Sequence, residues 1–169
     1  MLILKKLNPK KDITQKYVSW MNDKSVHPFS VQKFKRHNIK NVKKYVRDIN
    51  KSKNIFLFGI FLKNKSSLNH IGNIKIGPID LFHKTSDISY VIGDKNYWGK
   101  GIASMAIKAI SEIAFSELEL EKIYAGVYEN NIGSIKALQK NNFEEEGHFK
   151  SDVIFNGKRI DSFRYGLKK

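Results

Sequence analysis

Cysteine is absent from the 169 residues. That single absence excludes a disulfide framework, a thiolate metal site and a cysteine nucleophile. Long apolar runs are missing too: none approaches the roughly 20 residues a membrane helix needs. The opening M-L-I-L-K-K-L-N-P is too short for a secretory leader and lacks a small-residue cleavage site. A cytoplasmic protein with no membrane partner is therefore expected. There is no internal repeat, low-complexity tract or linker, so a single domain over 1–169 is expected. The five histidines, at 27, 37, 70, 83 and 148, show no ligand spacing, and no metal is expected. Acidic residues are scarce, 16 against 31 Lys and Arg, leaving a formal charge of +15. Such an excess suits a nucleic acid or a phosphate-bearing small molecule. It is equally what a compositional bias toward Lys, Asn and Ile produces, and the cations run through the whole chain, from K-K-L-N-P-K-K (5–11) to the final L-K-K.

What is present is a clear alternation of periodicities. Residues 2–7 read as a strand. From Asp12 the pattern turns helical, with Ile13, Tyr17, Trp20 and Met21 on one face, and Asn22-Asp23 and His27-Pro28 close it. Residues 38–51 predict a second helix capped by Asn38, with Ile39, Val42, Val46 and Ile49 on one side. Three strand-like runs follow at 55–62, 71–79 and 87–93, joined by the short polar links K-N-K-S-S-L-N and L-F-H-K-T-S. A long helix from Ile102 to Leu118 carries a broad apolar stripe. A strand at 122–128, a shorter helix from Asn131 to about Asn142, and strands at 143–155 and 159–167 complete the chain. Asn156-Gly157 is a two-residue hairpin signal between the last two. The order β α α β β β α β α β β calls for an α/β fold: a mixed sheet with helices on both faces.

Between the strand I-S-Y-V-I-G (88–93) and the long helix stands N-Y-W-G-K-G-I-A-S-M (96–105). A glycine-rich turn at a strand-to-helix junction presents unpaired N–H groups and the positive end of a helix dipole, which suits an anion. It is not a P-loop, since Gly-x-x-x-x-Gly-Lys-Ser/Thr is absent, and it lacks the third glycine of a dinucleotide fingerprint.

In this element order the motif resembles that of the GNAT acyl-coenzyme A transferases. Their signature, Gln/Arg-x-x-Gly-x-Gly/Ala, maps onto residues 98–103, with Trp98 in the first position. N-I-G-S-I-K-A-L-Q-K-N-N-F (131–143) resembles the Asn-x-x-Ser-x-x-x-Leu-x-Lys-x-Gly-Phe stretch of the Rim-type branch, with Asn142 replacing glycine. E-E-E-G-H-F-K (144–150) and N-G-K-R-I-D-S-F-R-Y (156–165) resemble that branch's ending, and W-M-N-D-K-S-V (20–26) its W-x-N-D-x-x-V opening. The resemblance implies a seven-stranded sheet whose middle strands splay apart to admit acetyl-coenzyme A, with no metal. One wall would be Tyr90, Val91, Ile92 and Gly93, and the other Ala125 to Tyr128. Trp98, Gly99, Lys100, Gly101, Ile102, Ala103 and Ser104 would cradle the pyrophosphate, their backbone amides forming a nest. Asn131 and Ser134 would face the pantetheine and thiol, and Lys136 or Lys140 the adenosine phosphates.

The expected reaction is acetyl transfer to a primary amine. The amine must attack unprotonated, a backbone N–H near Ile92 would hold the oxyanion, and the departing thiolate needs a proton. Many members of the family use a helix tyrosine as that acid, but its position here is Leu138. Ser134 is the alternative donor, and it is also readable as a helix-start cap. For the base or amine anchor the candidate is Asp161, with Asp152, Glu129 and Tyr90 behind it, and a water relay remains open.

The acceptor pocket is expected from residues 22–37, the loop around residue 80 and the last hairpin. Lys33, Lys35, Arg36 and His37 would suit a nucleotide-linked amino sugar of surface-glycan biosynthesis, or a ribosomal protein's N-terminal amine sitting on RNA. A polyamine would need local acidity from Glu144 to Glu146. The non-enzyme alternative is a basic RNA- or ribosome-binding module. It lacks RNP aromatics, a zinc framework and a helix-turn-helix pattern, so a nucleic-acid partner is disfavoured. A homodimer is left open.

Overall fold

The computed structural model describes residues 1–64 and 67–169. Seven strands form one sheet: β1 (Leu2–Lys6), β2 (Phe56–Lys63), β3 (Leu68–Asp80), β4 (Thr85–Ile92), β5 (Lys122–Tyr128), β6 (Glu144–Phe155) and β7 (Lys158–Lys168). Their order is β1-β2-β3-β4-β5-β7-β6. Every neighbouring pair is antiparallel except β4 and β5. Four helices pack on it: α1 (Gln15–Asn22), α2 (Ile39–Lys51), α3 (Ile102–Ser116) and α4 (Ile132–Gln139). The mixed sheet covered on both faces agrees with the expected class.

The two faces carry separate cores. On one, Tyr17, Val18 and Trp20 of α1 and Val42 and Val46 of α2 meet Leu57 and Phe61 of β2. On the other, Ile102, Ala106, Ile107 and Ile110 of α3 and Leu138 of α4 meet Ile60, Ile74, Ile88 and Ile123. Ile107 and Ile110 are fully buried, each worth about 1.5–3 kcal/mol relative to exposure. Alternation along β2 sends Phe61 and Ile60 to opposite cores, as a period of two requires.

Helix ends differ from the sequence expectation in instructive ways. Helix α1 starts at Gln15, not Asp12, because the Thr14 side chain accepts from the Tyr17 N–H. Ile13, outside the helix, is buried in one cluster with Val18, the arrangement of a hydrophobic staple. Helix α4 stops at Gln139 rather than near Asn142. Asn142 has φ of 61°, the left-handed conformation that explains glycine there in the family pattern. The predicted Asn156-Gly157 turn is present, with φ of 50° and 78° and Phe155 opposite Lys158. Of the link K-N-K-S-S-L-N, residues 65 and 66 lie outside the described residues. The Asn64 N–H donates to the Ser67 carbonyl across that link.

Candidate functional site

Strands β4 and β5 pair only at their beginnings, through Thr85↔Lys122, Ser86↔Ile123 and Asp87↔Tyr124. Beyond Asp87 they part, while each stays bonded to its outer neighbour. Strand β4 continues against β3 as far as Ile92↔Gly72, and β5 against β7 as far as Tyr128↔Ser162. The result is a fissure walled by residues 88–93 and 125–128. Gly93 N–H donates to the Ile71 carbonyl. Since polar groups alternate sides along a strand, the amides of Tyr90 and Ile92 turn away from β3 into the fissure, and those of Val91 and Gly93 do not. The Ile92 carbonyl is occupied, accepting from Trp98 Nε1 at 2.8 Å.

The glycine turn lies at the open end of this fissure. Residues 95–97 form one 3₁₀ turn in which Trp98 N–H donates to the Lys95 carbonyl. The cradle of free amides therefore begins at Gly99, not at Trp98. Trp98 contributes its indole as a brace on β4. Gly99 and Gly101 have φ of 70° and 74°, a conformation that favours glycine. A Cβ at either would meet no protein atom within 4 Å, so the space before the turn is open. Gly101 caps α3, and the first bond of that helix is Met105 N–H to the Gly101 carbonyl. The amides of Ile102, Ala103 and Ser104 are thus the unpaired donors of the first turn. The residues fit a diphosphate: donors, open space and a helix dipole converge, and Lys100 is exposed beside them. Lys136, on α4, and Lys140, its C-cap, are exposed. None of these three lysines forms an ion pair among the described residues.

Across the fissure, the Tyr90 hydroxyl approaches the Ser134 carbonyl at 3.5 Å. Burial pushes the Tyr90 pKa up, so the group is a protonated donor and not a base. The cap of α4 is Asn131, whose Oδ1 accepts from Ser134 N–H at 3.3 Å. That removes the capping role from Ser134 and leaves its hydroxyl without a partner among the described residues. Leu138 is fully buried in the core.

In the β6–β7 hairpin, Asp161 accepts from Ser151 N–H at 2.8 Å and pairs with His148 Nε2 at 2.6 Å. The Ser151 amide and then His148 hold its carboxyl below the usual range. Asp152 takes the Ser162 hydroxyl at 2.5 Å. Sequence reasoning expected an acid open to the amine, and the structure shows one with both oxygens engaged. The described residues hold no cluster of three or more His, Cys, Asp or Glu suited to a metal, and no helix is long and apolar enough to cross a membrane.

Residues 22–37 bridge the turn after β4 and the end of the β5 wall. Asp23 pairs with Lys95, in the turn after β4, at 2.6 Å. Phe29 stacks on Phe155 of β6, centroids 5.1 Å apart, and meets Tyr128 at the end of β5 at 6.1 Å. Asn22 closes the loop, exchanging two 2.8 Å bonds with the backbone of His37. The W-x-N-D opening thereby gains a physical meaning: Trp20 packs where a Cβ on Gly93 would sit, Asn22 clasps, and Asp23 tethers. Sequence reasoning missed Lys24 and the Phe29–Phe155 stack. Only the N-D pair hinted at a fixed loop.

Comparison with known proteins places this geometry. Residues 1–144 match the Acetyltransferase (GNAT) domain. Over 106 residues the chain is 37% identical to the probable N-acetyltransferase YjcK of Bacillus subtilis, covering 59% of this chain and 54% of that protein. Over 112 residues it is 33% identical to the uncharacterized N-acetyltransferase p20 of Bacillus licheniformis, covering 66% and 61%. The matched stretch thus spans little more than half the length of these curated relatives. The fold superposes with a TM-score of 0.84 on the Vibrio cholerae spermidine N-acetyltransferase solved with CoA and spermine, at 21% identity, covering 99% of this chain and 95% of that one.

Proposed function

Because the chain belongs to the GNAT acetyltransferase domain family, we propose that it moves an acetyl group from acetyl-coenzyme A to a primary amine. The observation that carries this is the parting of β4 from β5 after three residue pairs, with the glycine cradle at the open end. In this reading the amides of residues 99–104 hold the pyrophosphate, Lys136 or Lys140 the adenosine phosphates, and the freed edges of the two strands the pantetheine arm.

The Ile92 amide, turned into the fissure, stabilises the oxyanion as the amine nitrogen bonds to the thioester carbon. The C–S bond then breaks, and the thiolate takes a proton from the Tyr90 or the Ser134 hydroxyl. Both hydroxyls are protonated at neutral pH, Tyr90 because burial raises its pKa, and a phenol is intrinsically the stronger acid. The amine's surplus proton leaves through water. Asp161 stays ionised and serves as a charge that draws the ammonium, not as the base. Holding amine and thioester together supplies much of the remaining acceleration.

We further propose the Rim-type branch, one domain over 1–169 working in the cytoplasm, and a nucleotide-linked amino sugar of surface-glycan biosynthesis as acceptor. The cationic loop over the fissure supports that acceptor. A protein N-terminal amine is the alternative. The structural neighbour named for spermidine makes a polyamine a third, which four cations at the mouth disfavour. Thiol release from acetyl-coenzyme A, measured with UDP-linked amino sugars, N-terminal peptides and spermidine, is expected to be fastest with the sugars. Release with none of them, alongside no calorimetric binding of acetyl-coenzyme A at about millimolar concentration, would leave a basic binding module as the better account.

A further inference from the structure

Residues 22–36 border an open, shallow cleft of about 560 Å³ lined by Asn22, Lys24, Lys33, Phe34, Lys35 and Arg36. Four of the six are cations and none is acidic. The one acid in the loop's first turn, Asp23, is already neutralised by Lys95 at 2.6 Å. None of Lys24, Lys33, Lys35 or Arg36 forms an ion pair among the described residues. Concentrating four unmatched charges on one short loop costs energy through mutual repulsion, unless an anion joins them.

The loop is also closed and shaped by hydrogen bonds. The pair of hydrogen bonds between the Asn22 side chain and the His37 backbone closes it, and the Ser30 side chain accepts from Gln32 N–H to start the 3₁₀ turn that presents Lys33 and Phe34. Lys33 Nζ donates to the Pro28 carbonyl at 3.0 Å and lies 5.2 Å from the Phe34 centroid and 5.3 Å from that of Phe155. Phe155 in turn stacks on Phe29, which meets Tyr128 on the fissure wall. Cleft and fissure are therefore neighbours joined by three aromatic rings.

We infer that this cleft is a phosphate-binding subsite for the acceptor: it holds a nucleoside diphosphate while the amine at the other end reaches the thioester. The inference rests on the acetyltransferase reading and adds to it the place where the acceptor's anionic end is read. Lys24, Lys35 and Arg36 supply charge and hydrogen-bond donors, with Arg36 able to take two phosphate oxygens at once. Phe34, exposed beside them, offers a ring face for the base. Selectivity against a polyamine follows from the same four charges.

The test is calorimetric titration of UDP into protein already saturated with coenzyme A, so that the glycine cradle cannot supply the signal. UDP is expected to bind, and the Lys35→Glu/Arg36→Glu double variant to weaken it by about ten-fold or more. Coenzyme A affinity should be unchanged in the same variant, which also reports that it is folded. UDP binding only when coenzyme A is absent, or unaltered by the double variant, overturns the subsite. So does tighter binding of spermidine, or of a short single-stranded RNA through the same residues. If coenzyme A itself fails to bind the wild-type protein, the acetyltransferase reading falls instead, and that outcome is distinct from the others.

Discussion

Two regions of this molecule are proposed to meet anions, and they are built in opposite ways. The turn at residues 99–104 offers backbone amides at a helix start, shaped by two glycines in the left-handed conformation. The loop at 22–36 offers four side-chain cations around a cleft and no N-terminus of an α-helix. The first would recognise by geometry and tolerate almost no change in backbone. The second would recognise by charge and tolerate exchange of one cation for another. A cofactor common to a family suits the first, and an acceptor that varies between members suits the second.

The sharpest way to break that contrast is at Gly101. Valine there is strained, since φ of 74° costs an L-residue about 1–2 kcal/mol. Its side chain would also project into the space open before the amides. Calorimetry should show acetyl-coenzyme A affinity falling at least about 100-fold, and wild-type affinity in this variant would remove the cradle from the account. Next in size, Tyr90→Phe should lower kcat by about 100-fold with cofactor affinity intact. Because burial raises the Tyr90 pKa, its proton is present at every pH below the ordinary tyrosine value of about 10. The wild-type rate should accordingly show no basic limb in that range attributable to this group. A kcat within twofold of wild type would pass the donor's role to Ser134.

Leu138→Tyr should cost about 1–3 kcal/mol in denaturant unfolding, from overpacking a fully buried position. Cofactor affinity should stay unchanged, since the cradle lies elsewhere. A large loss of affinity would mean that the two are coupled. The smallest effect concerns the loop's tether. Lys95 and Ser25 lower the Asp23 pKa to about 2. A folded value below the unfolded one means that the stabilisation is fully present above about pH 3.9 and is lost as pH falls through the folded value. Lys95→Met should move the Asp23 midpoint upward in a carboxyl NMR titration, and an unmoved midpoint would show that Ser25 alone sets it.

Local chemistry made some of this legible in the residues, and long-range contacts hid the rest. The element order, the Asn156-Gly157 turn and the glycine junction all rest on neighbours in sequence, and the structure has them. The splay needed the resemblance, because no property of I-S-Y-V-I-G says that pairing will stop after Asp87. Thr14 moved the start of α1, since a capping oxygen outweighed the apolar period. Trp98 looked like one more amide donor, yet its amide closes a turn and its indole reaches back six residues to Ile92. Asp161 looked solvated or catalytic, and its true partners, Ser151 and His148, face it from the opposite strand. Charges on residues 33–37 were visible as a list. Their convergence on a cleft, with Lys24 among them, came from the Asn22 clasp, which joins positions 15 apart.

The strap formed by residues 22–37 is riveted to both banks of the crevice, by a salt link at Lys95 and by a ring contact at Tyr128. Where those contacts carry load, a ligand gripped by the strap alters the crevice's affinity for its own. Whatever free energy passes between the two berths in one direction passes equally in the other.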